Sequence, residues 1–139
     1  MEDAQGKLLE VVDLKVSFAI QGGKVEAVRG VSFTVRKGSV LALVGESGSG
    51  KSVIAQSILR ILPKNGSIDG GRILFHDESA PKNGAGKGIV DIAALGDRDP
   101  YLFQMRGGRI SMVFQEPMTA LSPLHTIGDQ VEEALRLHH

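Results

Sequence analysis

The chain has 139 residues, no cysteine, and 16 acidic against 16 basic residues, which gives a formal net charge of zero. These numbers exclude disulfides and thiolate metal sites and argue against a nucleic-acid partner held by a basic face. The hydrophobic fraction of 42% is typical of a globular protein, with room for one ordinary domain. No apolar run reaches membrane-spanning length and the N-terminus lacks a signal-peptide pattern. We therefore predict an intracellular chain that does not insert into a membrane itself.

The first third of the chain predicts a small antiparallel sheet. Loose alternation of apolar residues across 8–18 indicates one or two strands, and residues 25–28 and 31–35 indicate two short ones. Between the first two segments, residues 21–24 (Gln-Gly-Gly-Lys) have the composition of a turn.

A continuous apolar run, Val40–Val44, comes next and predicts a strand buried on both faces of a parallel sheet. Directly after it the sequence satisfies G-x-x-x-x-G-K-[ST], the phosphate-binding loop pattern. Apolar residues at helical spacing then continue from Val53 to Leu62, before Pro63, and predict a helix. Strand, glycine loop and helix are the context that this pattern requires. Its eight residues are Gly45, Glu46, Ser47, Gly48, Ser49, Gly50, Lys51 and Ser52.

The residue types in this loop suit a phosphate chain. Glycines let the backbone wrap closely around an anion, so that its N–H groups point inward and the positive end of the helix dipole faces the same point. Lys51 would add a positive charge for the β- and γ-phosphates, and the Ser52 hydroxyl would be a ligand for Mg²⁺. The alternative is a glycine- and serine-rich loop with a solvated lysine, which the flanking strand and helix make the weaker interpretation.

The rest of the chain predicts four further elements. Residues 71–75 indicate a strand, residues 102–106 a short helix ended by Gly107-Gly108, and Arg109–Phe114 a second buried strand. A last helix is predicted from Ile127, with Thr126 and Asp129 as an N-terminal cap signal. Residues 77–88 are small, polar and rich in helix and strand breakers, and they predict a flexible surface insertion.

Residues 113–123 (Val-Phe-Gln-Glu-Pro-Met-Thr-Ala-Leu-Ser-Pro) resemble the Q-loop of ABC transporter ATPases. These residues, and those of the phosphate loop, are similar to the dipeptide/oligopeptide importer branch of that family. Residues 57–63 and 123–127 are most similar to its fused, two-cassette members of the microcin C type. The resemblance covers residues 8–138. It implies an α/β P-loop fold: a small antiparallel β-subdomain, an incomplete parallel sheet core, and helices. Residues 1–139 would then be the N-terminal portion of one nucleotide-binding domain, with 124–139 beginning its helical subdomain.

The resemblance also implies roles for particular residues. Lys51 and Gln115 would be catalytic, with Gln115 touching Mg²⁺ or the attacking water, and Phe18 would stack on adenine. A strand aromatic that faces the core remains an almost equally good interpretation of Phe18. The implied cofactors are ATP and Mg²⁺. The implied partners are transmembrane permease subunits and a second ABC cassette, which places the protein on the cytoplasmic face of the membrane.

The family also needs features that do not follow Gln115 in this chain: an apolar strand ending in Asp-Glu, a Leu-Ser-Gly-Gly-Gln signature and a switch histidine. The main hypothesis is therefore the nucleotide-binding half of an ATPase for peptide uptake. A second is a truncated module that binds ATP or docks on a permease without hydrolysis. A third, another P-loop enzyme such as a small kinase or GTPase, is disfavoured because the guanine motif Asn-Lys-x-Asp is absent.

Overall fold

The computed structural model describes residues 6–80, 88–116 and 121–138. The chain divides into two compact units, residues 1–102 and 103–139. The elements, in chain order, are β1 (Lys7–Ile20), β2 (Gly23–Arg36), α1 (Lys51–Ile58), β3 (Gly66–His76), β4 (Ile89–Asp91), a 3-10 turn (Ile92–Ala94), α2 (Pro100–Met105) and α3 (Ile127–His138).

A four-stranded antiparallel sheet with the order β2-β1-β3-β4 forms the centre of the first unit. This agrees with the predicted antiparallel subdomain. The strands are longer than the sequence indicated: β2 continues through Arg29-Gly30, and β3 begins at Gly66 rather than at Gly71. Gly30 has a φ of 90° and lies within a stretch of irregular register between β1 and β2. The chain therefore crosses the predicted break without leaving the sheet.

Apolar side chains from all four strands and from the following turn and helix form the core of this unit. Alternate residues of β1 point into it, as expected for a strand with one buried face. The fully buried members are Val11, Leu14, Val16, Ile73, Val90, Ile92 and Leu102.

Helix α1 ends at Ile58, earlier than the predicted end at Leu62 before Pro63. Arg60 has a left-handed φ of 54°, its N–H donates to the Ser57 carbonyl, and the Ile61 N–H donates to the Gln56 carbonyl. This is the Schellman pattern, in which the left-handed position is more often glycine. The Arg60 guanidinium is held by the Ala93 and Leu95 carbonyls at 3.0 and 3.1 Å. These hydrogen bonds offset the energetic cost of the left-handed backbone conformation at Arg60. The helix ends at this turn.

The two segments predicted as buried parallel strands are not strands in this structure. Val40 and Val44 are 99% and 94% exposed, and Val113 is 96% exposed. The residue pair Arg106 and Ile110 forms a single isolated bridge instead of a strand. An extended segment is stable only when its N–H and C=O groups pair with neighbours. The sheet of the described residues pairs β1 to β4 with one another and includes neither segment.

Residues at both ends of the predicted flexible insertion 77–88 form hydrogen bonds, and the flexibility of the segment stays a prediction. The Asp77 N–H donates to the Gly88 carbonyl at 2.9 Å and so closes the base of the loop. Asp77 is buried, and its carboxylate accepts hydrogen bonds from the Ser79 N–H and from the Tyr101 hydroxyl. Residues 81–87 of the insertion lie outside the described residues, as do Pro117–Ala120 of the Q-loop resemblance.

In the second unit, α3 begins where the sequence predicted. The Thr126 hydroxyl accepts a hydrogen bond from the Asp129 N–H at 3.1 Å and donates to the Asp129 carboxylate at 2.7 Å. The Gln130 side chain then holds the preceding turn, because it accepts from the Ser122 N–H and donates to the His125 carbonyl. The apolar face of α3 is exposed in this unit. No helix in the described part of the chain is long and apolar enough to cross a membrane.

One carboxylate, Asp69, joins the three strands β1, β2 and β3. It accepts hydrogen bonds from the Ser17 hydroxyl, from Lys24 Nζ at 2.8 Å and from the Ser67 hydroxyl at 2.9 Å. The hydrogen bond from Lys24, followed by that from Ser17, lowers the pKa of Asp69 from 3.8 to about 2. The charged form is therefore favoured in the folded chain.

This pKa predicts a specific acid sensitivity. A carboxylate with a lowered pKa in the folded state contributes stability that is fully present above its unfolded pKa and is lost as the pH falls through the folded value. For Asp69 that window runs from about pH 4 down to about pH 2. We expect the free energy of unfolding of wild type and Asp69→Asn to differ at pH 7 and to converge across this window. Lys24→Gln should reduce the wild-type slope in the same way. Parallel profiles for wild type and Asp69→Asn in denaturant titrations would contradict the assignment.

Candidate nucleotide-binding site

The phosphate-loop residues form a tight turn that leads directly into α1. Gly50 caps the helix in a left-handed conformation, with a φ of 88°, and no side chain occupies the cap. The first N–H groups of an α-helix have no partner within the helix and carry its positive dipole end. The first turn of α1 contains no acidic residue. The helix end therefore offers its N–H groups and partial positive charge to an anion.

Lys51 places its ammonium group within the curve of this loop. Its Nζ donates to the Gly45 carbonyl at 2.6 Å, to the Glu46 carbonyl at 2.7 Å and to the Ser49 hydroxyl at 3.0 Å. The Ser49 N–H also donates to the Glu46 carbonyl, at 3.2 Å. The lysine charge and the loop backbone therefore converge on the same region that the helix end faces.

Two of the loop glycines have close contacts, and only the contact of Gly50 is with a backbone atom. A Cβ on Gly45 would lie 2.6 Å from the Ser49 hydroxyl oxygen, and one on Gly50 would lie 2.7 Å from the Ala27 carbonyl oxygen of β2. Gly48 has a φ of 79° but faces open space, so its requirement is conformational. The loop thus fits an anion-binding cradle: side chains at these positions would fill or distort it. The loop therefore lies close to β2 at Gly50 and Ala27. Sequence patterns could not reveal this contact.

An open cleft of about 350 Å³ lies beside the loop. Residues 26–29 of β2 form one wall, and Gly48 and Ser49 contribute to the other. Its volume is within the range of small-molecule sites. Ser52, the proposed Mg²⁺ ligand, is the second residue of α1 and is exposed, as are Glu46 and Ser47.

The other two predicted site residues are placed as follows. Phe18 is half-buried on β1, where it pairs with Val25 of β2 on one side and with Gly66 of β3 on the other. Gln115 is exposed and belongs to the second unit. The adenine-stacking role of Phe18 and the metal role of Gln115 stay predictions.

The sequence contains one Asp-Glu pair, which follows an apolar strand. Ile73–Phe75 and His76 are followed by Asp77 and Glu78, which matches the form of the strand that carries Mg²⁺ and water ligands in the family. The structure gives this pair another role. Its strand, β3, is antiparallel to β1, and the Asp77 carboxylate is bonded to Ser79 and Tyr101. Asp77 closes the base of the insertion, and the Glu78 side chain is exposed.

Comparison with known proteins finds a family match over most of the chain. The family model described as ABC transporter matches residues 28–138. The dipeptide transport ATP-binding protein DppD of Bacillus subtilis is 47% identical over 133 residues, 95% of this chain and 36% of that protein. The oligopeptide transport ATP-binding protein OppD of the same organism is 44% identical over 133 residues, 95% of this chain and 33% of its own length.

A third relative, the oligopeptide transport ATP-binding protein OppD of Mycobacterium tuberculosis, is 42% identical over 131 residues, 94% of this chain and 19% of that protein. The chain therefore spans about a third or less of the length of these relatives. The predicted P-loop α/β fold class and the resemblance to peptide-importer ATPases are both confirmed. The chain belongs to the ABC transporter family.

Proposed function

We propose that this chain is the nucleotide-binding portion of an ATP-binding subunit of a peptide importer. The observation that carries the proposal is the convergence of Lys51 Nζ and the uncapped start of α1 on one glycine-lined curve. The named relatives are ATP-binding proteins for dipeptide and oligopeptide transport, which supports both the nucleotide and the class of cargo.

Different residues of the loop and of α1 would bind the phosphates and the Mg²⁺ ion of Mg-ATP. Lys51 would exchange its bonds to the Gly45 and Glu46 carbonyls for the β- and γ-phosphate oxygens, which are stronger acceptors because they are charged. The N–H groups at the start of α1 would bind the same phosphates. Ser52 would hold Mg²⁺, an ion that neutralises phosphate charge and is usually bound by few protein ligands together with phosphate oxygens.

The Q-loop resemblance gives the proposal its coupling step. Gln115 would contact Mg²⁺ or the attacking water, and its loop would sense docked transmembrane permease subunits. A second ABC cassette would complete the nucleotide site. Such a subunit works in the cytoplasm, on the inner face of the membrane. These roles rest on residues 113–123 and on the relatives named above.

A direct binding experiment tests the central proposal. Isothermal titration of the 139-residue chain with ATP and Mg²⁺ should give saturable binding near one nucleotide per chain. GTP should compete without being preferred, because no guanine-reading motif is present. Absence of ATP binding, or a strict preference for GTP in competition, would overturn the proposal.

The alternative function is a module that binds ATP or docks on a permease without turnover. One observation favours it for these 139 residues: Asp77, the first residue of the Asp77-Glu78 pair, is buried and bonded to Tyr101 at the base of the insertion. Residues 77–78 are the one Asp-Glu pair in these 139 residues. Binding and hydrolysis are therefore expected to separate.

We accordingly predict that the isolated 139-residue chain binds ATP but releases no phosphate above the level of its Lys51→Ala variant. Positioning of the attacking water is a main part of catalysis in this class of reaction, and binding alone does not supply it. Phosphate release under saturating Mg-ATP measures the rate, with Lys51→Ala as the background. Steady Mg²⁺-dependent release that Lys51→Ala abolishes would show that the chain hydrolyses ATP by itself.

A further inference from the structure

The end of β1 that carries Phe18 is held from both sides of that residue. The Ala19 N–H donates to the Asn65 carbonyl at 2.8 Å, and the Asn65 side-chain amide donates back to the Ala19 carbonyl at 3.1 Å. Ser17, on the other side of Phe18, is fully buried and donates its hydroxyl to Asp69. The backbone of Phe18 is therefore fixed by polar contacts to the segment that begins β3.

Asp69 also binds the opposite arm of the hairpin. Lys24, which follows the β1–β2 turn, donates to one oxygen of this carboxylate at 2.8 Å, and Ser17 donates to the other. The Asp69 carboxylate thus connects β1, β2 and β3, and its contact on β1 is with Ser17, the residue before Phe18. Charge-assisted hydrogen bonds of this kind are stronger than neutral ones.

The Phe18 ring itself lies against a residue without a side chain. A Cβ on Gly66 would come within 2.8 Å of Phe18 Cε1 and within 3.2 Å of Cδ1. These distances are too short for carbon atoms in contact, so the ring keeps its place only because residue 66 is glycine. Gly66 does not have a left-handed φ, and the closest atom to such a Cβ is Phe18 Cε1; the Pro63 carbonyl oxygen would lie at 3.2 Å.

The same hairpin brings Phe18 near the phosphate loop. Phe18 pairs with Val25 of β2, and two residues further along β2 the Ala27 carbonyl contacts Gly50. Two residues of a strand span about 7 Å, and neighbouring strands are about 5 Å apart. Phe18 therefore lies on the strand next to the one that contacts the loop, at a distance compatible with the span of one nucleotide.

We infer that Gly66 and Asp69 are positioning residues for Phe18, which they hold where its ring stacks on the base of the bound nucleotide. The inference rests on the proposed function and on the stacking role that the resemblance implies for Phe18, and it extends them by naming the residues that hold the ring in place. The two parts of the site should then respond separately to substitution.

The experiment compares ATP with inorganic tripolyphosphate, each with Mg²⁺, by titration calorimetry. Phe18→Ala should weaken ATP binding at least about fivefold, the lower end of base stacking on aromatic rings. Gly66→Ala should weaken it about threefold or more, and Asp69→Asn should act in the same direction. Tripolyphosphate affinity should be unchanged in all three variants, because the loop is intact. Gly70→Ala is the matched control: its Cβ would meet Lys15 at 3.7 Å, an ordinary contact.

A double mutant separates positioning from general damage. In the Phe18→Ala background, Gly66→Ala should have no further effect on ATP affinity, because there is no ring to displace. An equal loss in both backgrounds, a loss of tripolyphosphate binding, or ATP affinity unchanged in Gly66→Ala would overturn the inference. Unchanged ATP affinity in Phe18→Ala would overturn it while leaving the proposed function intact. A wild-type chain that binds neither ligand would overturn both.

Discussion

Lys51→Ala is expected to weaken Mg-ATP binding by about tenfold to a hundredfold, the range of a hydrogen bond to a charged group. The Lys51 ammonium lies 2.6 and 2.7 Å from the Gly45 and Glu46 carbonyls, within the curve of the loop. These partners are main-chain groups of an exposed loop, so water can replace the lysine in the free variant. The fold should therefore be retained, as judged by circular dichroism and by the melting temperature.

The control for this experiment is Lys64→Ala. Lys64 is an exposed lysine in the turn after α1. Its substitution by alanine changes the net charge by the same amount as Lys51→Ala. Lys64→Ala should leave ATP affinity within about twofold of wild type, because salt screens the charge of an exposed side chain outside the loop. Equal affinities of wild type and Lys51→Ala, or equal losses in both variants, would contradict a specific role for Lys51.

Gly50→Ala is expected to remove measurable ATP binding and to lower stability as well. A left-handed conformation costs an alanine about 1–2 kcal/mol relative to glycine, and the new Cβ would also lie 2.7 Å from the Ala27 carbonyl oxygen. Because the obstructing atom belongs to the backbone of β2, the loop must move. Its N–H groups would then no longer point at the phosphates.

The chain offers a matched control for this substitution. Gly22 has the same φ, 88°, but a Cβ there would meet nothing within 4 Å. Gly22→Ala should therefore lower the free energy of unfolding by about 1–2 kcal/mol and leave ATP affinity unchanged. The comparison isolates the contact between the loop and β2 from the conformational cost. If Gly50→Ala bound ATP as Gly22→Ala does, that contact would have no part in the site.

Much of the site could be predicted because it is local in sequence. The eight residues 45–52 are continuous in the chain, six in the loop and two in the first turn of α1, and the pattern predicts a role in phosphate binding for their glycines, lysine and serine. The cap of α3 is equally local, since Thr126 and Asp129 are three residues apart and bond to each other. In both cases the contacting groups are neighbours in the chain, so a pattern in the sequence contains the interaction.

The strand predictions for residues 40–44 and 110–114 failed for the opposite reason. Continuous apolar runs indicate that burial is favourable, but a strand also needs hydrogen-bond partners that are distant in sequence. The sheet described here supplies those partners to β1 through β4 alone. The hydrophobicity of these segments indicates only a tendency to be buried. Whether they form strands depends on hydrogen-bond pairing with other strands.

By itself, the sequence determined the family resemblance and predicted the phosphate loop, because each depends on residues adjacent in the chain. Only the tertiary structure showed that Ala27 fixes Gly50, that Gly66 leaves space for the Phe18 ring, and that Asp69 joins three strands. It also decided between two roles for Asp77, whose place after an apolar strand suits a metal ligand but whose carboxylate bonds to Tyr101. Such contacts join residues from different strands and turns. They depend on register and on the direction of side chains, which composition and spacing do not encode.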